Sequence, residues 1–176
     1  MSPACADSQD PGDSYGVGVL ESRLIDIGQE KFAHEVWGRT ALLTRDAGDF
    51  SDLFSAEAVD ELVSRRGLRT PFLRVAKEGS TLPDSSFTSS AGVGATIADQ
   101  VDDTALWRRF GDGATIVLQA LHRTWEPVAD FSATLSTELG QPVQVSSTQH
   151  SSGRARRNSQ VLGDLAVRMP RLATRH

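Results

Sequence analysis

The chain has 176 residues, 39% of them hydrophobic and 6% aromatic, with 18 basic and 23 acidic side chains and a net charge of −5. That length suits one domain of ordinary size, and no apolar run approaches the roughly 18 residues that a membrane-spanning helix needs. The start MSPACADSQDPGDSYG has neither the basic end nor the apolar stretch of a signal peptide, and a lone cysteine, Cys5, excludes an internal disulfide or a cysteine-based zinc site.

In chain order, residues 1–18 are rich in Ser, Asp, Gly and Pro and read as a disordered leader. A short helix is expected over Gln29–Trp37, with Phe32, Val36 and Trp37 on one face, and TALLT, Thr40–Thr44, reads as a short strand followed by a turn at RDAGD. SAEAVDELVSRRG carries the clearest helix signals of the first half. Ser55 is placed to cap, Glu57 sits in the first turn, Val59, Leu62 and Val63 form the buried stripe, and Gly67 supplies the stop. TPFLRVAKEG then predicts a strand with Pro71 near its start, where a missing N–H does least harm.

GSTLPDSSFTSSAGVG reads as a long polar loop. Its GVGAT lacks the Lys-Ser/Thr of a phosphate-binding loop. DDTALWRRFG predicts a helix capped by Asp102 or Asp103, with Leu106, Trp107 and Phe110 as its apolar face. Gly113–Leu121, GATIVLQAL, is the strongest strand signal. A further helix follows, with Pro127 in its first turn, Val128, Phe131, Leu135 and Leu139 at helical spacing and Gly140 as its end. QPVQV begins another strand. The expected fold class is α+β, and the elements agree with their local punctuation, as in a sequence selected to fold.

Charge divides the chain. From Ser146 onward there are six arginines and a single acid, Asp164, which leaves 12 bases against 22 acids and a net charge of −10 before it. An acidic body speaks against a nucleic-acid-binding domain, since phosphate contacts need clustered positive charge. The expected setting is cytoplasmic, with no membrane partner and Cys5 a reduced thiol.

The segments FAHEVWGRTALLTR, VDELVSRRGLRTPFLRVAKEG, GVGATIADQVDD and GATIVLQALHRTWEPVADFSATLSTELGQPVQV, in this order, resemble the N-terminal part of the JmjC-type cupin proteins, bacterial relatives of the ribosomal oxygenases. The resemblance covers about Lys31 to Val145, and LHRTW and LGQPVQV are its most specific pieces. It implies a double-stranded β-helix whose barrel core is incomplete here. In the intact family it also implies Fe(II) and 2-oxoglutarate as cofactors, protein side-chain hydroxylation as the activity and, by analogy, a ribosomal protein as substrate. Family members hold iron with a His-x-Asp pair and a later His, and this leaves coordination positions open for 2-oxoglutarate and oxygen.

This chain departs from that pattern. His34 is followed by Glu35 and Val36, His122 by Arg123 and Thr124, His150 by Ser151 and Ser152, and His176 is the last residue. No catalytic, cofactor-binding or metal-ligating residue is therefore assigned. His122 reads as a structural polar contact, His34 as a solvated helix residue and His150 as part of a structureless stretch, while Asp102 and Asp103 read as a cap rather than as an acid–base pair.

The expected organisation is a disordered leader over 1–18, the N-terminal part of a cupin region over 19–145 and a basic, disordered or out-of-frame tail over 146–176. The tail has three readings. One is the product of a frameshift or early stop in a G- and C-rich gene, in keeping with arginine at 16 of the 18 basic positions. Another is a genuine tail, with a short helix in QVLGDLAVRMPRL, whose arginines contact an acidic partner or RNA. The third is a natural short form in which the N-terminal region works alone. On the first reading the chain is an inactive member of the dioxygenase family that binds no cofactor. The alternative is a non-catalytic protein-interaction or dimerisation module, with a homodimer as one partner. A strand beginning at Val143 without neighbours would leave an open edge, and the helices would keep uncovered apolar faces, so marginal stability or aggregation is expected.

Overall fold

A computed structural model of the chain describes residues 18–44, 49–91, 97–151 and 161–168. The leader expected over 1–18 lies outside the described residues except for Gly18, as do most of the RDAGD turn and the GVGAT segment.

Two short helices come first, α1 (Val19–Arg23) and α2 (Gln29–Lys31), and α2 runs on into a π-helical turn at Phe32–Val36. The three longer helices are α3 (Ala56–Ser64), α4 (Asp103–Gly111) and α5 (Glu126–Leu139). The strands are β1 (Leu73–Lys77), β2 (Ser80–Thr81), β3 (Thr88–Ala91), β4 (Ile97–Val101), β5 (Thr115–Leu118), β6 (Gln144–Ser151) and β7 (Val161–Arg168). Five of them form an antiparallel sheet in the order β2-β1-β5-β6-β7, while β3 and β4 make a separate antiparallel pair. The architecture is α+β, and among the described residues no sheet closes into a barrel.

The helices form where their ends are satisfied. The Ser55 hydroxyl accepts from Ala58 N–H at 3.3 Å and the Asp102 carboxylate from Ala105 N–H at 2.9 Å, so each removes one of the orphan donors of a first turn. Pro127 falls in the first turn of α5, and Gly140 ends that helix at φ 62°, the left-handed region open to glycine. The inward stripes are Val59, Leu62 and Val63 of α3, Leu106 and Phe110 of α4, and Val128, Phe131 and Leu135 of α5. They join Leu73, Val75, Ile116, Leu118 and Val145 of the sheet in one core.

Four expectations are corrected. Thr40–Thr44 forms no strand and leaves Leu43 76% exposed, because no described strand pairs with it. The stretch expected to be a polar loop is built around Phe87, which is wholly buried, and it supplies β2, a 3₁₀ turn at Asp84–Ser86 and β3. The strand at PVQV has neighbours after all. β6 runs to Ser151 with β5 on one side and β7 on the other, so the boundary expected at Val145 falls inside a strand. Finally, Val161–Arg168 is a strand rather than a helix. Eight consecutive residue pairs, Gln144–Arg168 through Ser151–Val161, give its backbone a ladder that a short isolated helix would lack. The physical basis for expecting aggregation is altered accordingly. Among the described residues the exposed large hydrophobics are Leu42 and Leu43, not the helix faces.

Candidate functional site

The most constrained polar constellation sits where the end of β5, the 3₁₀ turn Leu121–Arg123, the start of α5 and the first half of β6 meet. Ala120 enters that turn in the left-handed region at φ 52°, and Leu121 is fully buried. The turn therefore presents His122 to β6, where its Nδ1 accepts the Val145 N–H at 3.4 Å. An imidazole used as an acceptor is neutral. Consistent with this, partial burial and then the neighbouring Arg123 guanidinium hold His122 below the usual histidine pKa.

Two serines of α5 fix the other side of β6. Ser136 Oγ accepts the Val143 N–H at 3.1 Å and donates to the Ser132 carbonyl at 2.6 Å, while Ser132 Oγ donates to the Val143 carbonyl at 3.1 Å. Sequence reading missed both. Their only signal is the i, i+4 spacing on the face that carries Val128 and Leu135. Further along β6, Ser147 and Gln149 point into the core at 2% exposure, and Gln149 Nε2 donates to Ser147 Oγ at 2.6 Å.

Trp125 closes the constellation on the α3 side. Its Nε1–H donates to the Leu53 carbonyl at 3.0 Å, Phe54 meets its ring edge-on at 5.8 Å between centroids, and the Arg66 guanidinium lies 4.7 Å from its ring centroid. That stacking anchors the residues around α3 to the start of α5.

The histidines do not converge. His34 is exposed in the π-helical turn, His122 is engaged by Val145, and His150 is exposed near the end of β6 with Nδ1 3.2 Å from Thr115 Oγ1. His176 lies outside the described residues. Asp102 is occupied as the α4 cap, and Asp103 accepts from Thr104 N–H. Among the described residues no three His, Cys, Asp or Glu side chains gather as a metal site would require. These residues do not fit the iron set of the family that the sequence resembles. The three described histidines do not gather with one another or with carboxylates, and none stands two positions ahead of an acid.

What the constellation can do is hold β6. The polar groups of the constellation are already engaged with one another or with the backbone of β6, and the one hydroxyl–imidazole contact among the described residues, Thr115 Oγ1 with His150 Nδ1, lies on exposed surface apart from it. Among the described residues no helix is long and apolar enough to cross a membrane. No family model and no curated protein matches the chain.

Proposed function

We propose that the chain carries the N-terminal part of a JmjC-type cupin region, from the lineage of Fe(II)- and 2-oxoglutarate-dependent protein hydroxylases, and that as it stands it does not hydroxylate. The supporting observation is spatial. The two segments with the most specific resemblance, LHRTW and LGQPVQV, stand at either end of α5 and meet through the His122–Val145 hydrogen bond. The structural role of His122, accepting from Val145 N–H, explains why the first of these segments holds a histidine that is not a ligand. The departure from the family lies beyond Val145, where β6 continues as Ser-Ser-Thr-Gln-His-Ser with no carboxylate two residues after the histidine.

Titration calorimetry of the full chain with Fe(II) under anaerobic conditions, and separately with 2-oxoglutarate, tests the reading. No saturable heat is expected for either. Saturable binding of one equivalent of either would overturn it and place an intact cofactor site in the chain.

A second reading, a module that binds another protein, is favoured by the exposure of Leu42 and Leu43 in a segment without regular secondary structure. Under the first reading a ribosomal protein is the partner class suggested by analogy. Under the second, replacing Leu43 with Asp abolishes capture of the partner without changing the melting temperature.

A further inference from the structure

We propose that the outer edge of β7 is a self-association site, at which β7 of one copy pairs antiparallel with β7 of a second copy across a twofold axis, with Ala166 on the dyad. The inference is independent of the cofactor question.

The two edges of the five-stranded sheet are unlike. β2 ends one side with two residues, Ser80 and Thr81, too short to template another strand. β7 ends the other side with eight, and among the described residues it pairs with β6 alone. Apart from the charges at Asp164 and Arg168, the devices that usually blunt an edge are missing from Val161–Arg168. It contains no proline and no lysine, and its register with β6 runs through all eight pairs without a bulge.

Geometry restricts the register. One face of the sheet is buried, through Leu73, Val75, Ile116, Leu118, Val145, Ser147 and Gln149, so a sheet continued into a second copy must keep that face on one side. Opposed residues must then share a face, and only registers that put a residue on the dyad satisfy this. Centring on Asp164 opposes two carboxylates. Centring on Leu165 or Val167 leaves Asp164 and Arg168 without each other. Centring on Ala166 sets Asp164 opposite Arg168 of the second copy, twice by symmetry, with Leu165 opposite Val167. Asp164 and Arg168 occupy the register positions of Thr148 and Gln144 on β6. Each good opposite-charge pair adds to a ladder, and each like-charge pair opposes it. An isologous contact of this kind closes at two copies.

The test is sedimentation velocity of the full chain over a micromolar concentration series, for the parent, Asp164→Lys, Arg168→Glu and the double exchange. The expected result is a monomer–dimer equilibrium that weakens by about tenfold in each single variant and recovers in the double exchange. Circular dichroism melts check that all four remain folded. The recovery keeps the test decisive, since a variant that failed to fold would not be rescued by a second charge reversal. A parent that stays monomeric throughout overturns the proposal. So does a dimer indifferent to both single reversals, or growth into assemblies larger than two. Loss of the dimer on Leu43→Asp with Asp164→Lys without effect would instead move the contact to Thr40–Thr44.

Discussion

The two halves of the large sheet share a geometry and differ in chemistry. On β1 and β5 the residues facing the core are Leu73, Val75, Ile116 and Leu118, each 1% exposed or less. On β6 the equivalent positions begin with Val145 and continue with Ser147 and Gln149, equally buried but polar. The first half therefore gains from removing apolar surface from water. The second must find partners for the polar groups it buries, and Gln149 Nε2 donates to Ser147 Oγ. A strand can thus be placed by its neighbour's ladder even where its own side chains carry little hydrophobic drive.

Substitutions can break or sharpen that contrast. The largest effect is expected at Leu118. Leu118→Ala should lower the unfolding free energy by about 2–5 kcal/mol in urea titration, since a fully buried leucine loses both its transfer term and the cavity it leaves. Ser147→Ala removes one methyl-sized group's worth of polarity yet strands a buried amide, and should cost about 1–3 kcal/mol. The double change Ser147→Ala, Gln149→Leu should return close to the parent value. If the single change is neutral instead, the two halves of the sheet do not differ in the way described.

Smaller effects come from the elements that hold the sheet. Asp102→Ala should cost about 1 kcal/mol by leaving Ala105 N–H uncapped, while Asp102→Asn should recover most of it. The pH dependence concerns His122, whose folded pKa lies below its ordinary value of 6.5. Its neutral form is favoured by folding, so its contribution is intact above that value. It is lost as pH falls, because the unfolded chain takes up a proton the folded chain resists, and the loss levels off below the folded pKa. Denaturant midpoints measured on either side of pH 6.5 should fall on the acid side, and His122→Gln should flatten that slope. An unchanged slope in the variant would assign the pH dependence to other groups.

The helices were legible because their signals are local. Ser55, Asp102, Pro127 and Gly140 each act on a backbone group within a few residues, so their positions in the sequence suffice to place α3, α4 and α5. The strands were legible for the same reason, Leu73 and Val75 by alternation and Ile116–Leu118 as an apolar run. The polar constellation was largely illegible. Ser132, Ser136 and His122 matter only through Val143 and Val145, which no short-range pattern connects to them. Phe87 lies in a stretch whose composition reads as a polar loop, and only the packing around it shows that it is wholly buried.

By itself the sequence determined the α+β class, the three longer helices with their caps and buried stripes, and the two apolar strands at the centre of the large sheet. Those follow from side-chain periodicity and from the hydrogen-bonding needs of helix ends, which are properties of adjacent residues. The tertiary structure alone decided that Ser146–Ser151 and Val161–Arg168 are strands, that Thr40–Thr44 is not, and that Ser147 and Gln149 face inward. Strand pairing joins residues distant in the chain, and whether an edge is available to pair with is a fact about the assembled sheet that no local stretch of residues carries.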